Sequence, residues 1–294
     1  MSSATIAPVL LLVDLDGVVY RARHPIPGVA SLLARRVAAG DAVVYVTNNS
    51  MFHRRDYVQR LAELGAPVDA ERVVSSARAT ALFLVRQMPS VRRVLAVGAE
   101  GLMDELRDVG LQVVSSGEVA LPFDFPDGAA WEAAGRPEAV VVGLDPTFTY
   151  GRLAVASDCV RAGARLVATN RDPIYPSSGG LRPGAGSIVA AVEAASGSAP
   201  LVIGKPEPHL LEMAAAAVGM AARAAVVVGD GLRTDVAAAR AVGARSVLML
   251  TGVTRPEDLA LLPPGSGPDA VARDAGELEA ILETMGPPDP AALR

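Results

Sequence analysis

Two carboxylates follow a long apolar run near the start of the chain. The run at 9–13 leads directly into Asp14, Leu15, Asp16 and Gly17. An unbroken apolar segment of this length is typical of a strand buried on both faces of a parallel sheet. Asp14 and Asp16 are two residues apart, so on an extended backbone their side chains leave on the same side. Such close carboxylates repel each other unless a cation lies between them or one is protonated, and either condition indicates chemistry.

Polar groups of matching kinds end three further predicted strands. They are Thr47 with Asn48, then Lys205, then Asp230 with Asp235. Because the carboxyl ends of parallel strands share one edge, where ligands of α/β sheets bind, we expect these groups to converge. Carboxylates with a hard divalent cation polarise a phosphoryl group, and a hydroxyl, an amide and an ammonium hold its other oxygens. Each strand end alone also fits a capped turn, but the four together indicate a phosphoryl-transfer site.

Lys205 is the single lysine among the 27 basic residues of the chain. A lysine ammonium is a compact point charge, whereas an arginine guanidinium is a wide planar fork. The position of Lys205 in a Gly-Lys-Pro turn therefore indicates a site that the fork would not fit. Chance retention of one surface lysine is the alternative.

The composition limits the classes of protein and of partner. With 294 residues, we expect about two domains, and 51% hydrophobic against 4% aromatic residues favours helices packed on a Val-rich sheet. The net charge of −5 and the absence of a basic cluster in the sequence argue against nucleic acid as a binding partner. No segment has the roughly 20 apolar residues that cross a bilayer, and no signal peptide is recognisable. One cysteine, Cys159, fits a reducing compartment, so we expect a cytoplasmic enzyme or binding protein without a membrane partner.

Strand-like and helix-like segments alternate along the chain in three series. This alternation predicts an α/β fold with a doubly wound, Rossmann-like parallel sheet. We predict that the middle series is a second α/β unit inserted into the first. The predicted domains are a discontinuous core at 1–77 and 184–294, an inserted cap at 78–183 and a mobile tail at 286–294. A Gly/Pro/Ser-rich stretch at 176–186 indicates a long loop or boundary.

The polar strand ends resemble, in chain order, the four motifs of the haloacid dehalogenase superfamily. The matching segments are Asp14-Leu-Asp16-Gly17-Val-Val-Tyr20, Thr47-Asn48-Asn49, Gly204-Lys205-Pro206 and Gly229-Asp230-x-x-x-Thr234-Asp235. The likeness is greatest to the subfamily IIA phosphatases, which include phosphoglycolate, nitrophenyl-phosphate and glycerol-3-phosphate phosphatases. It covers nearly the whole chain, because that family also inserts an α/β cap between its second and third motifs.

The resemblance implies a role for each matched residue. Asp14 would be the nucleophile that forms an aspartyl-phosphate, and Asp16 would protonate the leaving alkoxide and later deprotonate water. Mg²⁺ would be bound by Asp14, the backbone carbonyl of Asp16, and Asp230. Asp235 would support the metal indirectly. The residues expected to contact phosphate oxygens are Thr47, Asn48 and Lys205.

The family likeness also implies which residues choose the substrate. Asp172 and Tyr175 lie where the family's cap reaches the substrate, so we predict that they contribute to specificity. Members of the family often pair through their caps, which implies a homodimer. One departure is Gly231, where relatives often carry Arg or Asn, and it puts only a peripheral contact in doubt.

We therefore expect a Mg²⁺-dependent phosphomonoester hydrolase that acts on a small phosphorylated metabolite. Family likeness favours a glycerol phosphate or phosphoglycolate, followed by pyridoxal phosphate and nucleoside monophosphates. One alternative is a phosphomutase, which returns the phosphoryl group to a sugar. Another is a non-enzymatic, phospho-accepting signalling domain, although there the acceptor aspartate would come after the first acidic pair and before the threonine and lysine.

Overall fold

The computed structural model describes residues 8–22, 24–177 and 180–286. The chain divides into two compact units. The first unit comprises Met1–Thr47, Tyr57–Val74 and Lys205–Arg294, and the second comprises Asn48–Asp56 and Ser75–Gly204.

Strands and helices alternate along the chain. The opening stretch contains β1 (Leu10–Asp14), β2 (Tyr20–Arg21), β3 (His24–Pro25), α1 (Val29–Ala38), β4 (Ala42–Thr47), α2 (Arg54–Glu63) and β5 (Val73–Ser75). The middle stretch contains α3 (Ser76–Gln87), β6 (Arg93–Val97), α4 (Glu100–Arg107), β7 (Gln112–Ser115), α5 (Ala129–Ala133), β8 (Ala139–Val142), α6 (Tyr150–Arg161), β9 (Arg165–Ala168), β10 (Ile174–Ser177), β11 (Gly180–Pro183), α7 (Ala185–Ser196) and β12 (Leu201–Val202). The closing stretch contains α8 (His209–Ala217), β13 (Ala225–Gly229), α9 (Ala237–Ala241), β14 (Arg245–Met249), α10 (Pro256–Ala260), β15 (Ala270–Ala272) and α11 (Ala275–Met285).

The first unit is built on a six-stranded sheet in the order β15-β14-β13-β1-β4-β5. β1 lies in the interior of this sheet and pairs in parallel with β13 and with β4. Every residue of β1 is buried, as expected of a strand that helices cover on both faces. Because β1, β4 and β13 run in the same direction, Asp14, Thr47 and Gly229 end them at one edge. This edge is where the predicted motifs begin.

The second unit has its own five-stranded sheet in the order β12-β9-β8-β6-β7. All of its adjacent strands are parallel. β10 and β11 form a separate antiparallel hairpin in which Tyr175 is opposite Arg182. Residues of α6 and α7, including Val155, Ile188 and Val192, pack with the sheet in one apolar core. None of the helices within the described ranges is long and apolar enough to cross a bilayer.

The fold class predicted from the sequence, an α/β fold with a parallel sheet, is confirmed. The two compact units divide the chain at other positions than the predicted domains. Residues 184–204, assigned to the core from the sequence, lie in the second unit because β12 pairs with β9. The division into core and cap stays a prediction. The predicted mobile tail lies outside the described residues except for Gly286.

Candidate active site

Three carboxylates of the first unit come together beyond the ends of β1 and β13. Asp14 ends β1, Asp230 follows β13, and Asp235 lies in a short π-helical turn at Leu232–Val236. One oxygen of each carboxylate lies within 4.8 Å of the others, and all three side chains are buried. We call Asp14, Asp230 and Asp235 the carboxylate cluster.

Lys205 lies against this cluster in the same unit. Its Nζ donates to Asp14 Oδ1 and to Asp235 Oδ1, each at 2.5 Å, and the residue is 2% exposed. Burial by itself would lower the pKa of Lys205, but the Asp14 and Asp235 carboxylates outweigh burial and raise that pKa above its usual value. The lone lysine of the sequence is therefore a charged, buried partner of two carboxylates that are far away along the chain.

The cluster carries more negative charge than Lys205 balances. Burial raises the pKa of Asp14 well above its usual value, and the Asp235 and Asp230 charges add to this rise while Lys205 opposes it. Burial, followed by the Asp235 charge, raises the pKa of Asp230 to about 7. Buried carboxylate oxygens in excess of the nearby cations are the donor set that hard divalent cations prefer. The residues present therefore fit a divalent metal ion.

Close backbone approach is what brings Asp230 toward the turn after β1. Gly17 has φ +84°, and a Cβ there would lie 2.2 Å from Asp230 Oδ2. A side chain at this position would therefore both strain the backbone and displace the carboxylate. The glycine that follows Asp16 in the first motif is thus required by geometry.

Sequence reasoning missed a loop after β14 that holds Asp230. Val253 N donates to Asp230 Oδ2 at 2.7 Å, and Thr254 Oγ1 donates to the backbone carbonyl of Asp230 at 2.6 Å. A Cβ on Gly252 would lie 1.7 Å from Asp230 Oδ2, so only glycine leaves room there. The available signal was a Thr-Gly-x-Thr segment directly after a buried strand that ends at the same edge.

Asp235 uses both carboxylate oxygens within the first unit. Oδ1 accepts from Lys205, while Oδ2 accepts from Gly231 N at 3.1 Å and from Thr234 Oγ1 at 3.0 Å. A carboxylate with this many protein donors is well suited to orient Lys205. The indirect role of Asp235 at a metal stays a prediction.

Asp16 is half-buried and lies in the turn between β1 and β2. Within the described ranges no residue hydrogen-bonds its carboxylate. Burial raises its pKa from the usual value, and the positive charges of Arg60 and then of Lys205 oppose this rise. A carboxyl group with a raised pKa is suited to donate a proton near neutral pH.

Thr47 and Asn48 belong to different units although they are adjacent. Thr47 is buried at the end of β4 in the first unit. Asn48 begins the second unit, where its Nδ2 donates to Asp172 Oδ2 at 3.0 Å and its carbonyl accepts from Asn170 Nδ2 at 2.7 Å. The structure thus joins Asn48, a predicted phosphate ligand, to Asp172, a predicted specificity residue.

A cleft of about 570 Å³ lies within the second unit. Tyr175 lines it, as do Arg182 from the facing strand of the hairpin and a mainly apolar set of other residues. These are Met51, Leu144, Asp145, Pro146, Phe148, Pro183, Ser187 and Ile188. Of the two predicted specificity residues, Tyr175 is among the residues lining the cleft and Asp172 is not.

Comparison with known proteins shows which family the chain belongs to. Residues 11–112 match the family model described as haloacid dehalogenase-like hydrolase, and residues 202–278 match a second, HAD-hydrolase-like model. A D-glycerol 3-phosphate phosphatase of Mycobacterium tuberculosis is 39% identical over 91% of this chain and 70% of its own length. The chain belongs to the haloacid dehalogenase-like hydrolases. Human chronophin is 38% identical over 84% of this chain and 83% of its own length.

Solved structures agree with this family. A p-nitrophenyl phosphatase from Archaeoglobus fulgidus matches with a TM-score of 0.81 and 32% identity, over 94% of this chain and 99% of that one. The glycerol phosphate phosphatase of Mycobacterium tuberculosis, in complex with magnesium, matches with a TM-score of 0.79 and 38% identity. The match covers 95% of this chain and 78% of that one. The family resemblance and the enzyme class predicted from the sequence are confirmed. The chain is a metal-dependent phosphatase of this family.

Proposed function

We propose that the chain hydrolyses phosphate monoesters of small metabolites through an aspartyl-phosphate on Asp14, with Mg²⁺ as its metal. The observation that supports this most is the carboxylate cluster with Lys205 against it. Asp14, Asp230 and the backbone carbonyl of Asp16 are the proposed metal ligands, and Asp235 braces Lys205. When bound, Mg²⁺ supplies positive charge that offsets the cluster and polarises the phosphoryl oxygens.

The proposed reaction has two steps, each carried by Asp14 and Asp16. In the first, an Asp14 oxygen bonds to phosphorus as the bond from phosphorus to the ester oxygen breaks, and Asp16 gives its proton to that oxygen. In the second, the oxygen of a water molecule bonds to phosphorus as the bond from phosphorus to Asp14 breaks, Asp16 takes a proton from that water, and inorganic phosphate leaves. Lys205 opposes the rise that burial causes in the pKa of Asp14, and it orients that carboxylate through its 2.5 Å bond. Thr47 and Asn48 are the proposed contacts to the remaining phosphate oxygens.

We propose that residues lining the cleft of the second unit, Tyr175 among them, contribute to substrate specificity. Glycerol 3-phosphate or phosphoglycolate is the proposed substrate, with support from the similarity to a D-glycerol 3-phosphate phosphatase. The apolar lining by Leu144, Phe148 and Ile188 favours pyridoxal phosphate or an aryl phosphate as a second candidate.

A phosphate-release screen tests both candidates. The panel holds glycerol 3-phosphate, phosphoglycolate, pyridoxal phosphate, a nucleoside monophosphate and p-nitrophenyl phosphate, each with Mg²⁺ and with EDTA. We expect turnover that EDTA abolishes and a kcat/KM at least about tenfold higher for one class of ester. Transfer of the phosphoryl group to a sugar would support a phosphomutase instead. A stable phosphoprotein without turnover would support a signalling domain.

Three further predictions from the sequence are unchanged. They are a cytoplasmic location, a homodimer formed through the cap, and the absence of nucleic-acid and membrane partners. Sedimentation of the purified chain at several concentrations would test the homodimer.

A further inference from the structure

Arg60 of α2 packs on the turn that carries Asp16. Its guanidinium carbon lies 3.5 Å from the centre of the Tyr20 ring, within the range of a cation–π contact. Its Nη2 also donates to the backbone carbonyl of Ala22. Both contacts lie in the first unit, and Tyr20 is buried. The Arg60 side chain thus contacts the β2–β3 hairpin at two positions, Tyr20 and Ala22.

Backbone hydrogen bonds connect the segment that Arg60 contacts to the turn that carries Asp16. Gly17 N donates to the Tyr20 carbonyl at 2.6 Å, Tyr20 N donates to the Leu15 carbonyl at 3.2 Å, and Asp16 is bridged to Tyr20. Ala22 has φ +53°, a left-handed conformation that residues with a Cβ rarely adopt. The carbonyl of this residue accepts the hydrogen bond from Arg60.

The Asp16 carboxylate depends on this backbone for its position. No described residue donates a hydrogen bond to it, in contrast to the Asp230 carboxylate, which accepts from Val253 N, and the Asp235 carboxylate, which has three donors. Proton transfer requires a donor within hydrogen-bond reach of the departing oxygen. A shift of about 1 Å in the turn would therefore reduce transfer from Asp16 more than any step that needs no proton.

We propose that Arg60 is a positioning residue for Asp16, acting through its contacts with Tyr20 and Ala22 to hold the Asp16 turn in place for proton donation. This inference rests on the proposed role of Asp16 as the general acid. A phosphate ester of an alcohol needs that proton as its bond to phosphorus breaks. Nitrophenolate is a stable anion and leaves with little need of it.

The test compares kcat/KM for glycerol 3-phosphate with kcat/KM for p-nitrophenyl phosphate. This quantity covers the steps up to departure of the leaving group and excludes hydrolysis of the aspartyl-phosphate. For Arg60→Met, we expect kcat/KM to fall about 10- to 100-fold with the alkyl ester and less than about threefold with the aryl ester. Arg21→Met, on the same hairpin, removes an exposed arginine and serves as the matched control, with both values within about twofold of wild type.

An equal fall with both esters would mean that Arg60 only stabilises the fold, and no fall with either would mean that Asp16 is held without it. Either result overturns the inference. If Arg60→Met does not fold, Arg60→Lys keeps the charge without the planar fork and should show the same selective loss, at about three- to tenfold. Asp16→Asn is the reference: if it lacks the alkyl-selective loss, the proposed role of Asp16 itself fails. If it has the loss and Arg60→Met has not, only the inference about Arg60 fails.

Discussion

The two units each contain a compact group of metal-ligand side chains, and the two groups differ in charge. One is the carboxylate cluster of the first unit, and the other is His53, Glu105 and Asp108 of the second, whose ligand atoms also lie within 4.8 Å of one another. In the second group, Arg54 Nη1 lies 2.5 Å from Glu105 Oε2, and Arg54 Nη2 lies 2.8 Å from Asp108 Oδ2. We call the second group, with its arginines, the arginine junction.

The difference shows that charge balance, and not the spacing of ligand atoms, separates a cation site from a structural contact. Arg78 also approaches Glu105, with Nη1 3.6 Å from Oε2. Two guanidinium groups therefore face the Glu105 carboxylate, which is fully buried. His53 Nε2 lies 3.0 Å from Asp108 Oδ2. The junction is therefore neutralised by its own arginines, whereas the cluster has three carboxylates and one lysine. Only the cluster would gain from a divalent cation.

The largest expected effect is on chemistry at the cluster. Asp14→Asn removes the nucleophile, so we expect kcat for p-nitrophenyl phosphate to fall by at least about 10³-fold. Asp108→Asn, the matched change in the arginine junction, should leave kcat within about twofold. Steady-state phosphate release measures both, and comparable losses in the two variants would break the distinction between the sites.

The next effect concerns the choice of cation in each group. Lys205→Arg places a wide fork between Asp14 and Asp235 in a site that is 2% exposed, so we expect kcat to fall about 100-fold. Arg54→Lys in the junction keeps a charge beside Glu105 and should change kcat less than about twofold, at some cost in stability. Wild-type turnover by Lys205→Arg would contradict the inference that the fork does not fit.

Loss of one carboxylate from each group should change stability in different ways. Glu105→Gln leaves two arginines without their buried counter-charge, and we expect the free energy of unfolding to fall by about 3 kcal/mol. Asp230→Asn relieves repulsion among buried carboxylates and should not lower stability in EDTA. Added Mg²⁺ should stabilise Glu105→Gln but not Asp230→Asn, since only the latter lacks a proposed ligand. Urea unfolding with Mg²⁺ and with EDTA gives all four values.

A pH dependence follows from the raised pKa values in the cluster. The pKa of Asp14 lies well above its usual value of 3.8, and that of Asp230 is raised from 3.8 to about 7. The folded chain therefore binds more protons than the unfolded chain between these values. The resulting stability is fully present below pH 3.8 and is lost as pH rises through about 7.

The expected result in EDTA is a Tm that is lower at pH 8 than at pH 5.5, by roughly 5 °C more in wild type than in Asp230→Asn. Mg²⁺ should raise Tm more at pH 8, where the carboxylates are ionised. Scanning calorimetry across this pH range measures both trends. Parallel curves for the two proteins would show that Asp230 does not titrate in this range.

The smallest expected effect is on substrate preference, and it distinguishes Arg182 from Arg54 in the second unit. Arg182 is exposed and lines the cleft, unlike the enclosed Arg54 of the junction. For Arg182→Gln, we expect kcat/KM to fall about three- to fivefold with phosphoglycolate, whose carboxylate the guanidinium can meet. With glycerol 3-phosphate, which lacks this group, the change should be less than about twofold. An equal change with both esters would remove Arg182 from the proposed substrate contacts.

Much of the fold was predictable because its signals are local. The buried strands β1, β4 and β13 are apolar runs, and each ends within one residue of the polar group expected at its end, namely Asp14, Thr47 and Asp230. Their edge residues were identified as well, since a motif such as Asp14-Leu-Asp16-Gly17 is read directly from the chain. The β10–β11 hairpin was missed, because a stretch rich in Gly, Pro and Ser carries no strand-like pattern.

The partners of the site residues were less predictable because they lie far along the chain. Nothing near Asp230 in the sequence identifies Val253 and Thr254 as its donors. Likewise, β12 was assigned to the core series, but its pairing with β9 places it in the second unit. Each of these contacts depends on which elements pack together, and hydrophobic periodicity does not contain that information.

The sequence by itself determined the kinds of chemical group available and the sheet edge at which they lie. Strand formation and the order of polar residues after each strand depend on local patterns, so Asp14, Asp16, Lys205 and Asp230 could all be proposed as site residues without coordinates. The tertiary structure alone decided how the charges balance. Lys205 bonds to two carboxylates of the cluster, whereas Arg54 neutralises Glu105 and Asp108 of the junction. Electrostatic energy depends on distance and burial, which only the folded chain sets.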